Sequence, residues 1–216
     1  MIITVGGIKG GSGKTTVATN LAVMRAGEGR DVLLIDADDQ ETATDFTVLR
    51  GERLGAGAGY TGIKLTGSSV RTETLKLKSK YHDIVIDTGG RDTTSQRAAL
   101  AISDVLLVPF VPRSFDIWTL EKVAELVEEM KAANPSLRAF TFINRADSRG
   151  SDNEDAAQVL RDSPTLMLLD ATLGQRKAFG NAAAEGLAVA EMRPSDAKAV
   201  EEISALYHAL FDTNAV

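Results

Sequence analysis

Lys9-Gly10-Gly11-Ser12-Gly13-Lys14-Thr15-Thr16 is the stretch that decides the fold. It follows a short apolar run, Ile2–Val5, and opens an amphipathic segment from Thr15 to Gly27 that Gly27 and Gly29 close. Strand, glycine-rich loop and helix in that order are the setting of a phosphate-binding loop. Gly10, Gly11 and Gly13 let backbone N–H groups turn toward an anion and approach it closely, and the helix N-terminus adds its dipole. Ser12 and Thr16 complete the cradle. Lys14 is placed to reach the β- and γ-phosphates of a nucleotide, and the Thr15 hydroxyl to ligate Mg²⁺. The common G-x-x-x-x-G-K-[ST] spacing is not met, because Ile8 stands where its first glycine belongs. The pattern present is K-G-G-x-G-K-T, with a second lysine, Lys9.

Outward from this loop, short apolar runs alternate with longer amphipathic ones, which predicts an α/β fold: a doubly wound, mostly parallel sheet with helices on both faces. Further strands are expected at Val32–Ile35, Ile84–Ile86, Val105–Val108 (stopped by Pro109), Ala139–Ile143 and Leu166–Leu169. Leu120, Val123, Val127 and Met130 share one helical face, as do Ala199, Ile203, Leu206 and Leu210. Both stripes are expected in the core, and Trp118 is expected as a core or rim anchor. Gly51–Gly62 holds many glycines and few large apolar residues, so it is expected to be a mobile loop. His82 and His208 are expected to be structural or surface residues.

Acids follow two of the strands. Asp36, Asp38 and Asp39 come after Val32–Ile35, and Asp87 after Ile84–Ile86, followed by Gly89, Gly90 and Arg91. Carboxylates at the C-terminal ends of parallel strands lie on the ligand side of such a sheet. There they serve to order Mg²⁺ through water or to orient an attacking water. Arg91 is expected in an ion pair or an interface contact.

The composition narrows the class. The chain has 216 residues, a single domain by length, with 44% hydrophobic and 25% charged residues. It contains no cysteine, which excludes disulfides, thiolate metal sites and iron–sulfur ligation and fits a reducing cytoplasm. The formal net charge is -6, so contact with nucleic acid would need a local basic patch. Arg176, Lys177, Arg193 and Lys198 are the candidates for it. No apolar run approaches the roughly 20 residues that cross a bilayer.

The loop resembles the deviant Walker A motif of the ParA/MinD family of ATPases. The resemblance implies that Lys9 reaches across a dimer interface to a partner's nucleotide, so that ATP binding and homodimerisation are coupled. Asp36, Asp38 and Gln40 match the family's D-x-D-P-Q segment, with Asp39 in place of the proline. By resemblance Asp38 positions the hydrolytic water and Asp36 supports the metal shell. Ile84–Asp92 resembles Walker B and the second switch, with Asp87 holding Mg²⁺ through water. Asn144 falls where the family recognises adenine, and Pro109–Ser114 resembles its P-x-x-P-S turn near the nucleotide and dimer face. With its first strand starting at Met1, the chain is similar to the short, ParF-type partition proteins, which implies one P-loop ATPase domain over residues 1–216 and no N-terminal DNA-binding domain. The resemblance further implies ATP and ADP as ligands, an ATP-dependent dimer on nonspecific DNA, a ParB-like adaptor and a nucleoid-associated cytoplasmic location without membrane contact. A positioner of some other cargo, such as a protein microcompartment, and a MinD-like division regulator are the alternatives. The latter would need a membrane-targeting C-terminal helix, which the tail after Leu210 does not resemble.

Overall fold

The computed structural model describes residues 1–112 and 117–211. Arg113 and Ser114 of the expected P-x-x-P-S turn, and the tail from Asp212 onward, lie outside the described residues. Seven strands form one sheet in the order β3-β2-β4-β1-β5-β6-β7. They are β1 Ile2–Val5, β2 Val32–Ala37, β3 Thr61–Lys64, β4 Asp83–Thr88, β5 Val105–Phe110, β6 Arg138–Ala146 and β7 Met167–Gly174. Every neighbouring pair is parallel. Helices α1 Lys14–Gly27, α2 Thr42–Leu54, α7 Lys177–Ala184 and α8 Ala197–Phe211 pack on one face. The other face carries α3 Ser69–Leu77, α4 Thr94–Leu100, α5 Ile117–Ala133 and α6 Asp152–Arg161. The fold is the doubly wound α/β sheet that the pattern predicts.

The central strands read as unbroken apolar runs because both faces of the sheet are covered. Side chains alternate between the two cores. Ile3, Val5, Leu34, Val85 and Leu107 enter the core with α1 and α8, whereas Ile2, Leu33, Ile35, Ile84 and Ile86 enter the opposite one. Both predicted helical stripes are buried.

Four expectations are corrected. Pro109 does not stop β5, which continues to Phe110 beside β6. The Leu107 carbonyl accepts from Gly6 N across to β1, so Pro109, two residues on, presents its missing N–H to the same side. There the pairing with β1 has already ended at Val5, and no ladder bond is lost. Gly51–Gly62 is not a loop throughout: Gly51 lies inside α2 and Gly62 inside β3. Its signal is faint because α2 buries only Ala43, Phe46 and Arg50, and β3 is an exposed edge strand. Leu166–Leu169 overlaps only the start of a longer edge strand, β7, which begins at Met167 and runs to Gly174. Trp118 is 71% exposed and so lies outside the core, at most on its rim.

One polar clamp fixes α2, the helix that follows the acidic loop after β2. Arg50 is buried and donates to Ala58 O (2.7 Å), Gly186 O (3.1 Å) and both carboxylate oxygens of Glu191 (2.7 and 2.8 Å). Burial opposes the Glu191 charge, but the guanidinium and the Ala188 N–H outweigh it and hold the carboxyl below its ordinary range. From the other side, Asn20 of α1 accepts from Val189 N (2.9 Å) and donates to Thr16 O (2.7 Å). Removing the guanidinium takes a donor from four acceptors, among them the buried Ala58 and Gly186 carbonyls. Arg50→Ala should cost about 3 kcal/mol and lower Tm by about 10 °C in thermal unfolding. A loss under about 1 kcal/mol would mean that the clamp is not what holds α2.

Candidate functional site

The loop Gly6–Gly13 joins the C-terminal end of β1 to α1, and the other candidates gather around it. Lys14 is buried, and its Nζ donates to the Lys9 carbonyl (2.9 Å), closing the loop on itself. Burial lowers the Lys14 pKa, opposed by the charges of Asp87 and Asp38. Gly13 has φ 90°, the left-handed region that favours glycine. It also has no room for a side chain, since a Cβ would lie 2.5 Å from Asn144 Nδ2. That amide donates to Ser12 O (2.6 Å). Asn144, offered for adenine recognition, thus braces the back of the loop in this structure.

Asp87, the penultimate residue of β4, is in register with Val5 on one side and Asp36 on the other. It is fully buried, and neither carboxylate oxygen has a hydrogen-bond partner. Burial pushes its pKa from an ordinary 3.8 to about 7, with the Asp36 charge adding and the Thr15 hydroxyl and Lys14 opposing. Across that window the folded chain keeps a proton that the unfolded chain has released, so the group costs more stability as pH rises. The Asp87 carboxylate and the Thr15 hydroxyl beside it are oxygen donors of the kind a hard divalent cation such as Mg²⁺ takes. Asp36 differs. Its Oδ2 accepts from Thr44 N and Oγ1 (both 2.8 Å), and Oδ1 from Asp38 N (3.1 Å). It organises the acidic loop and the start of α2, and its oxygens are largely committed there. Asp38 remains at the pocket wall, with Oδ1 accepting from Gln40 N (3.2 Å).

The segment after Asp87 presses on the phosphate loop. A Cβ on Gly90 would lie 2.5 Å from Gly10 N, so only glycine permits this approach. A cavity of about 580 Å³ opens over the site, lined by the loop, Lys14–Thr16, Asp38–Gln40, Gly89–Arg91 and Arg145. Arg91 is exposed on its rim and makes no ion pair among the described residues. A second cavity of about 420 Å³ adjoins Gly13 and Thr16 and is lined by Asn144, Arg145, Leu173, Arg176, Lys177 and Phe179 among others.

That second cavity splits the four candidate DNA contacts. Arg176 and Lys177 line it, and Arg176 is tied to Glu202 by two bonds (2.8 and 2.5 Å). Its charge is therefore spent inside the protein rather than offered on a basic surface. Arg193 and Lys198 are exposed, with Arg193 donating to the Met192 carbonyl (2.8 Å).

Two site residues were missed in the sequence. Gln96 of α4 is buried, and its Oε1 accepts from Gly7 N (3.3 Å) and Thr88 Oγ1 (3.0 Å), joining the loop to the end of β4. The signal was Thr93-x-x-Gln96, a capping-box pattern. Thr93 does cap α4 through Gln96 N (3.2 Å), but the glutamine side chain turns into the core instead of back to the cap. Arg145 carried only its position after Asn144.

The comparisons agree with this geometry. The sequence matches the CobQ/CobB/MinD/ParA nucleotide binding domain over residues 3–189. It is 26% identical over 204 residues to the maintenance of carboxysome distribution protein A of Halothiobacillus neapolitanus, covering 94% of this chain and 92% of that one. To the protein of the same name from Gloeobacter kilaueensis it is 31% identical over 196 residues, covering 89% and 85%. Its fold superposes on a plasmid partition protein of Borrelia burgdorferi bound to AMPPNP with TM-score 0.79, at 21% identity and 98% of both chains. A nucleotide-sized pocket on a glycine loop, an unsatisfied buried aspartate and a family match across most of the chain converge: this protein belongs to the CobQ/CobB/MinD/ParA family of nucleotide-binding domains.

Proposed function

We propose that this chain is a Mg²⁺-dependent ATPase that positions a cargo by switching between a nucleotide-bound dimer and a monomer. The observation that carries the reading is the Lys9-bearing loop set against Asp87, whose buried carboxylate has no partner. Mg²⁺, when bound, would neutralise phosphate charge. Thr15 and Asp87 would hold it, Asp87 through water, while Asp36 keeps the acidic loop in place rather than joining the shell. Lys14 exchanges the Lys9 carbonyl for the β- and γ-phosphates. Asp38 orients the attacking water. Lys9 is supplied in trans to a second copy's nucleotide, where a cation stabilises the charge of phosphoryl transfer only in the assembled dimer.

The relatives support one reading of the cargo over another. The two carboxysome distribution proteins match this chain over nearly its full length, which favours a protein microcompartment linked through an adaptor. Partition of plasmid DNA through a ParB-like adaptor is the second reading, favoured by the fold it shares with the plasmid partition protein. Either use needs nonspecific DNA as the matrix, and no described helix is long and apolar enough to cross a membrane. An adaptor gene beside this one, encoding a shell-associated or a centromere-binding protein, separates the two.

Light scattering with a nonhydrolysable ATP analogue tests the switch. Lys9→Ala should retain nucleotide affinity but stay monomeric, and Asp38→Ala should accumulate as a dimer on ATP with turnover down by about 100-fold. A full dimer of the Lys9 variant sinks the in-trans role, and near-normal turnover by the Asp38 variant moves water positioning elsewhere. Duplex DNA should be retained only with ATP and Mg²⁺, and more weakly as salt rises. Arg193→Glu with Lys198→Glu should abolish that retention in a gel shift without changing basal turnover. Retention unaffected by this pair would place the DNA surface elsewhere.

A further inference from the structure

The two cavities at the carboxyl end of the sheet share three lining residues, Gly13, Thr16 and Arg145. One ligand filling both must cross that junction. Its anionic end would lie over the loop and Lys14, and its other end beside Asn144, Leu173 and Phe179. For a nucleotide, the group at the crossing is the phosphate attached to the nucleoside.

Arg145 is built toward this point. Its φ is 54°, a left-handed conformation that a non-glycine residue adopts at a cost and that concentrates at ligand sites. It follows Asn144, whose amide is pinned to Ser12 O. Arg145 lies inside β6 where its register with β7 shifts, and its Nε lies 3.9 Å from the Cβ position of Gly13. Arg145 is exposed and has no carboxylate partner among the described residues, in a chain with 30 acids and 24 lysines and arginines. Arg176, in the same cavity, is by contrast neutralised by Glu202.

We infer that Arg145 contacts the nucleotide directly, its guanidinium binding the α-phosphate from within the same protomer, opposite Thr16. The planar fork of arginine suits a phosphate at such a junction. The assignment rests on the nucleotide reading of the site and adds a residue to it. It differs in kind from the roles of Lys14, Lys9 and Asp38, because the α-phosphate is common to ATP and ADP. Arg145 should therefore support both nucleotides alike, and should act in the monomer.

Calorimetric titration of the full-length chain with ATP, ADP and inorganic pyrophosphate tests this, using Arg145→Asn and Arg145→Gly. Both replacements accept a left-handed backbone, so loss of binding would not reflect a strained fold. Affinity for ATP and for ADP should fall by a similar factor, about tenfold or more, while affinity for pyrophosphate is retained. Unchanged ADP affinity in both variants overturns the assignment. So does an equal loss for pyrophosphate, which would make Arg145 a general support of the loop. Loss of the ATP dimer with ADP affinity kept would make it an interface residue and overturn it as well. If the wild-type chain binds neither nucleotide, the nucleotide reading itself falls and this assignment with it.

Discussion

A fully buried carboxylate with no well-formed hydrogen bond, Asp87, is the constraint around which this site is organised. Placing such a group in the interior is costly, and a protein keeps one only where something offsets the cost. The sheet order makes its position unavoidable. β4 lies between β2 and β1, so Asp87 near its end faces Asp36 across one ladder and Val5, just before the phosphate loop, across the other. The neighbouring cation, Lys14, is itself buried and donates to a backbone carbonyl. The arrangement is poised rather than satisfied, and a divalent cation with a polyphosphate, as in the proposed function, would resolve it.

The surroundings are correspondingly rigid. Asn144 and Gln96 brace the loop from opposite sides, and Gly90 allows the segment after Asp87 to touch Gly10. Asp36 fastens the acidic loop to α2, and Arg50 fastens α2 to Gly186 and Glu191. Asn20 fastens α1 to the same segment. Both helices that begin at the nucleotide site are thus tied to the chain just before Arg193.

The fold was legible because its central strands are buried on both faces and its helices carry clean stripes. The edges were not. β3 buries little, α2 has a weak stripe, and neither had a pattern to announce it. That the loop from Lys9 to Thr16, Asp38 and Asp87 gather at the carboxyl end of the sheet was readable because spacing and strand-end position set their placement. Asn144 and Arg176 show where such reading ends. An asparagine at a strand end and a basic pair look the same whether they face solvent, a loop carbonyl or a glutamate across the fold. Their partners, Ser12 and Glu202, are distant in sequence. Arg145 was hidden for a further reason: its position depends on a backbone angle that no residue pattern encodes.

The most direct test is the affinity of ATP measured with and without Mg²⁺ for the wild-type chain and for Asp87→Asn. With Asp87 as the unsatisfied metal-holding carboxylate, Mg²⁺ should strengthen ATP binding to the wild type by at least about tenfold, and this gain should vanish in the variant. An equal Mg²⁺ effect in both proteins would contradict the account.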